Sequence, residues 1–166
     1  MQQYFKTLFK TTKDSKLQWF QFRILHKILG TNSFLYKIRK LDHSLCTFCK
    51  TAEETIEHIF WECDKIQNLF EMINTYLSTN VGCRILIQKK YIILGITKNY
   101  SAENLITLQL KYYIYRMRCA NKDISVLGAI LSFKQLIESY KFIASKDNEL
   151  NKFNEYWGQW LPILNI

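Results

Sequence analysis

The sequence predicts a mainly α protein, a small helical domain in which a cysteine-bearing loop packs on a long helix. Three observations lead there. Proline occurs once, at Pro162, and glycine five times in 166 residues, while Leu, Ile, Lys, Gln and Glu are abundant. That balance favours helices over a sandwich or barrel. Apolar residues recur at helical spacing, most clearly Leu17, Phe20, Ile24 and Ile28 at i, i+3, i+7 and i+11. Three of the five cysteines fall within eighteen residues beside a histidine, a pattern of metal binding in a reducing compartment and not of a secreted disulfide scaffold.

Each element follows from local pattern. Residues 1–16, lysine-rich around Tyr4, Phe5, Leu8 and Phe9, read as a frayed helix. A strong helix spans Leu17–Leu29, ended by Gly30, with Asn32 or Ser33 capping a short helix through Phe34–Leu41. Residues 42–50 form a turn-rich loop holding Cys46 and Cys49. Thr51-Ala52-Glu53-Glu54 fits a capping box, Thr51 as N-cap and Glu54 at the third helical position. The long helix it opens runs to about Leu77 and turns Ile56, Ile59, Phe60, Cys63, Ile66, Phe70 and Ile73 to the core. Residues 78–100 are irregular around a short apolar segment at Tyr91–Leu94. Ser101 caps a helix over Ala102–Asn121, Ser125 caps another over Val126–Ala144 or beyond, and the tail bearing Trp157 and Trp160 stops at Pro162. Residues 1–80, with a knuckle at 42–65, are expected to form one domain, and 81–166 a helical extension packed on it.

The net charge is +9, distributed unevenly. Residues 1–50 carry ten cations against two acids, 51–80 one against six, and 81–166 twelve against six. The basic flanks suggest a polyanion partner, most often nucleic acid; the alternative is a merely soluble basic protein. Lys6, Lys10 and Lys13 interrupt the first apolar stretch as a signal peptide, and no apolar run reaches the ~18 residues of a membrane span. The expected location is the nucleus or cytoplasm, without secretion or membrane contact.

The spacing Cys46-x2-Cys49-x8-His58-x4-Cys63 is the strongest motif. A two-residue gap lets one turn aim two thiolates at one ion, and four such donors suit tetrahedral zinc with no open position, hence a structural and not a hydrolytic site. Lys50 and Lys65 are placed to offset the excess thiolate charge. One difficulty is geometric. Residues five apart on an ideal α-helix point about 140° apart, so His58 and Cys63 can share an ion only through a local departure such as a π-bulge near Phe60–Trp61. His43 is a possible substitute ligand, His26 an ordinary interfacial residue, and Cys83 and Cys119 packing residues.

The run from Leu17 to Asn32, aromatic and basic and ending in Thr31-Asn32, is followed by the C-x2-C loop and then Glu54-Thr55-Ile56-Glu57-His58-Ile59-Phe60-Trp61-Glu62-Cys63. Residues 17–75 resemble the zinc-binding domain that follows the polymerase in non-LTR (LINE-type) retrotransposon reverse transcriptases. Lys89-Lys90-Tyr91-Ile92 and Tyr115-Arg116-Met117-Arg118-Cys119 are similar, less specifically, to the helical tail of those proteins. The resemblance implies one structural Zn2+ held by Cys46, Cys49, His58 and Cys63. It also implies a non-catalytic module that helps hold template RNA or target DNA during target-primed reverse transcription, beside a polymerase domain in cis or in trans. The scattered Asp14, Asp42, Asp64, Asp123 and Asp147 do not build a two-metal polymerase site, and no endonuclease, serine-nucleophile or phosphate-loop motif is visible. The chain is thus expected to be no enzyme, and to be a fragment, a truncated element copy or a domesticated remnant.

Two helix faces are candidates for nucleic acid: Lys16, Arg23 and Lys27 beside Trp19 and Phe20, and Lys111, Tyr115, Arg118 and Lys122 at i, i+4, i+7 and i+11. On the second helix a core stripe of Ile106, Leu110, Tyr113 and Met117 lies elsewhere on the wheel. The alternatives are solvated faces and core aromatics, the latter favoured for Trp19 and Phe20. A zinc-stapled structural or protein-interaction module is the competing reading of the whole chain.

Overall fold

The computed structural model describes residues 11–95 and 102–165. The expected helix around Tyr4–Phe9 and the Ser101 cap lie outside these residues. Helix α1 spans Ser15–Leu25, with the Asp14 carboxylate accepting from the Lys16 amide at 2.8 Å. It stops before the expected Leu29 because Lys27 takes a left-handed conformation (φ 57°). The Lys27 amide then donates to the Ile24 carbonyl and that of Ile28 to Arg23, a Schellman closure that does not wait for Gly30. The reversal leaves Ile28 exposed and buries Leu29 in its place.

Helix α2 (Asn32–Lys37) is capped by Thr31 and not by Asn32 or Ser33. It too closes on a left-handed basic residue, Arg39 (φ 57°). The acidic segment is not one helix. A π-helical turn spans His58–Glu62, Cys63 is extended (ψ 125°), and α3 (Asp64–Asn80) begins afresh. Ile59, Phe60, Cys63, Ile66, Phe70 and Ile73 are buried as the periodicity predicts, with Ile56 only partly so. Helix α4 (Lys89–Leu94) lies within the stretch read as irregular.

Helix α5 (Ala102–Cys119) packs on α1, α4 and α6 (Val126–Lys146). Ser125 caps α6 as expected, accepting from the Gly128 amide at 3.1 Å. Helix α6 also contacts α3, α7 (Leu150–Trp157) and a terminal 3-10 helix over Gly158–Asn165. Pro162 does not end the tail but sits inside that 3-10 helix, and Trp157 and Trp160 are buried. Among the described residues every regular element is thus helical, with a single isolated antiparallel bridge, Leu45 to Glu53, in the loops between them. Among them no helix is long and apolar enough to cross a membrane.

Candidate metal centre

The knuckle is a short hairpin. The Cys46 amide donates to the Ala52 carbonyl and the Glu54 amide to the Ser44 carbonyl, each at 2.8 Å. Its turn closes through the Lys50 amide on the Cys46 carbonyl, with Lys50 left-handed (φ 62°). Cys46 and Cys49 project from one side of this turn. The other two donors come from the π-turn, where the Cys63 amide reaches back five residues to the His58 carbonyl at 3.0 Å. One extra residue per turn brings positions five apart onto one face, the departure from α geometry that the His-x4-Cys spacing requires.

The four donor atoms of Cys46, Cys49, His58 and Cys63 all lie within 4.8 Å of one another. Cys46 Sγ is 4.0 Å from Cys63 Sγ, and Cys49 Sγ is 3.3 Å from His58 Nε2. Around tetrahedral zinc, bonds near 2.3 Å to sulfur and 2.0 Å to nitrogen give sulfur–sulfur edges of about 3.8 Å and sulfur–nitrogen edges of about 3.5 Å. The donor set therefore fits one structural Zn2+, with His58 presenting Nε2. The cluster does not include His43, which is exposed.

The side chains are poised for a cation. Burial pushes the Cys49 thiol up, but the Thr51 hydroxyl, the Thr51 and Ala52 amides and His58 outweigh it and bring it down to about 6. The hydrogen bond shared by Cys46 and Cys63 raises the first and lowers the second; the Ile66 and Lys65 amides at the start of α3 also favour the Cys63 thiolate. Burial lowers the His58 imidazole, and its thiolate neighbours raise it by more.

The residues holding the knuckle in place were legible only as motif letters. Glu54 is no capping residue. The Thr55 side chain caps the turn instead, accepting from the His58 amide at 2.9 Å, because the bridge at Glu53 keeps the chain extended past Thr51. Glu54 is fully buried. It accepts from the Asn32 amide (2.9 Å) and the Thr47 amide (2.7 Å) and pairs with Arg118 Nε (2.9 Å). The Asn32 side chain donates to the Leu45 carbonyl at 2.6 Å and accepts from Arg118. Asn32 and Ser33, which also donates its amide to the Glu54 carbonyl and its hydroxyl to Glu53, thus weld the start of α2 to both sides of the hairpin.

These contacts correct the second nucleic-acid face. Arg118 is consumed by Glu54 and Asn32, and Lys111 is buried with its amine donating to Gln21. Tyr115 is half-buried, packs on Phe20 at 5.5 Å and donates to the Gly30 carbonyl. Of that stripe Lys122 alone is exposed. The physical reason is that α5 lies between α1 and α6, so this stripe is covered and Lys111, Tyr115 and Arg118 hydrogen-bond internally. Of the first face, Lys16 on α1 and Lys27 in the turn after it are exposed, while Arg23 is partly buried with a sequestered Nε. Phe20 is core; Trp19 is 59% exposed and stacks on Phe22, so the core expectation fails for it. Cys83 is buried as expected, but Cys119 is exposed and is not a packing residue.

No curated protein matches the chain. Residues 1–69, which include all four donors, match the family model described as zinc-binding in reverse transcriptase. That family is an accessory zinc-binding domain and not the catalytic one. The Cys3His cluster is therefore a structural zinc site, and it lies wholly within the segment that is similar to this zinc-binding family.

Proposed function

We propose that the chain is a non-catalytic, nucleic-acid-binding accessory domain of a LINE-type retrotransposon reverse transcriptase. It would hold template RNA or target DNA beside a polymerase domain, in cis or in trans, in the nucleus or cytoplasm. The observation that carries this reading is the excess of cations in residues 1–50, the stretch that also contains the first zinc pair and falls within the family match. Binding is sequence-tolerant and salt-dependent, with a log–log slope of about −0.7 to −0.9 per phosphate neutralised. Fluorescence anisotropy of the zinc-loaded protein with a structured RNA, beside an unrelated acidic protein of similar charge, tests it. Equal affinity for both, or no response to salt, removes it.

A second reading, a zinc-stapled protein-interaction module, is favoured by a different observation. Helix α6 exposes Leu127, Leu131, Phe142 and Ile143, an apolar set that nucleic acid does not need.

A further inference from the structure

Among the described residues, five that are not glycine adopt a left-handed backbone: Lys27, Arg39, Lys50, Asn121 and Asn148. Asparagine is an ordinary occupant of such positions; lysine and arginine are not. A side chain there costs about 1 kcal/mol relative to the glycine that usually closes such turns. All three basic cases fall in the first fifty residues and bound the zinc module: the end of α1, the end of α2 and the knuckle turn. All three are exposed, and among the described residues none is ion-paired with a carboxylate. Attraction to helix C-termini accounts for a cation near Lys27 or Arg39, but a cation in the preceding turn would serve equally without the strain. No helix ends at Lys50, and although a cation there offsets the thiolate charge of the knuckle, a neighbouring position would do so without the strain. Backbone strain retained at repeated positions, each time with the same charge, points to a use for the charge.

The surroundings indicate which polyanion. Arg39 sits in a continuous exposed segment, Tyr36–His43, that also holds Lys37 and Lys40 against one acid, Asp42. Tyr36, Ile38 and Leu41 stand out of it, 51%, 49% and 36% exposed. A groove of about 720 Å³ opens beside it, with Lys27 and Lys37 among its lining residues and Leu25, Phe34, Ile56 and Ile93 supplying apolar walls. Its acids, Glu57 and Glu62, share the single ammonium of Lys89, at 2.8 and 3.0 Å, and Lys27 adds a weaker attraction to Glu57. Cations beside an exposed tyrosine and an apolar groove suit unstacked bases better than a duplex, which offers mainly phosphates.

We propose that Lys27, Arg39 and Lys50, presented on left-handed turns around the zinc module, are the primary phosphate contacts for a single-stranded polynucleotide. Tyr36 and the adjoining groove receive its bases. This rests on the nucleic-acid reading above and assigns it to the knuckle side in place of α5.

The backbone supplies an unusual test, because glycine at these positions removes the charge while relieving the strain. The zinc-loaded triple variant Lys27→Gly, Arg39→Gly, Lys50→Gly is titrated into labelled single-stranded RNA and DNA of about 16 nucleotides and into a duplex of equal length. A control variant carries Lys141→Ala and Lys146→Ala, exposed cations on α6 outside either face. The triple variant is expected to keep its zinc, to melt no lower than the parent, and to lose about 2 units of log–log salt slope, which at 0.15 M salt is about a fortyfold loss of affinity. The control variant is expected to bind nearly as the parent does. If the parent binds single strands and the triple variant matches it in affinity and slope, the assignment is overturned while the nucleic-acid reading stands. If the parent binds neither strand nor duplex, both fall. Stronger binding of the parent to the duplex overturns the single-strand preference.

Discussion

Replacing Arg118 with methionine should loosen a zinc site to which Arg118 donates nothing directly. The guanidinium is the partner of a carboxylate that is itself fully buried. Removing one member of a buried pair leaves an uncompensated charge and typically costs about 3–5 kcal/mol. Glu54 keeps two amide donors, from Asn32 and Thr47, so the lower end applies, about 3 kcal/mol. Arg118→Lys should recover part of this, because an ammonium restores the charge but not the fork that reaches Glu54 and Asn32 together. In Arg118→Met with Glu54→Gln the two losses should fall short of additive by 1 kcal/mol or more, about the scale of coupling in one network. Thr47 adjoins Cys46, so the loosening should reach the metal. Urea unfolding gives the free energies, and a colorimetric chelator gives the rate of zinc release. If Arg118→Met costs less than about 1 kcal/mol and releases zinc at the parental rate, the network does not support the knuckle as argued.

Three further outcomes are expected. Burial pushes the Lys111 ammonium down to about 7, so between that value and its unfolded value the folded chain holds fewer protons and stability rises with pH. Lys111→Met should abolish that rise, worth up to about 1.4 kcal/mol per pH unit, and should raise stability near neutrality; urea titrations at pH 7.5 and 9 check both. Strong chelators should expose residues 42–65 to protease before the rest, since zinc supplies on the order of 10 kcal/mol of folding energy there, and Cys63→Ser should reproduce the effect with less than one zinc per chain by metal analysis. Gly128→Ala should destabilise by about 1–3 kcal/mol in thermal melts, because the new methyl would meet the Tyr113 hydroxyl, which is held by the Ser125 amide and carbonyl.

The metal ligands were legible in the sequence because soft donors at fixed spacing leave few geometries, and the same spacing exposed the need for a non-α turn. What was not legible has physical causes. Thr51 to Glu54 matches a capping box letter for letter, but the Leu45–Glu53 bridge keeps that stretch extended, and a local pattern cannot register a cross-strand pairing. The ends of α1 and α2 were hidden because lysine and arginine stand where glycine announces a stop. The wheel of α5 separates an apolar from a polar stripe, yet periodicity does not say whether a neighbouring helix covers the polar one, and α1 does. Arg118, sixty-four residues after Glu54, was visible as a cation, but its carboxylate partner was not.

The π-turn also constrains how this chain can vary in length. Deleting one residue between His58 and Cys63 would restore a four-residue interval, which an unbroken α-helix satisfies while still offering both donors to zinc. The metal would tolerate that shortening. The remainder would not, since everything after it would be carried round by about 100° and drawn back by about 1.5 Å. Ile66, Phe70 and Ile73 would then face away from α6, and Arg118 could not find Glu54. The extra residue is thus an angular setting between the metal and the helices that follow.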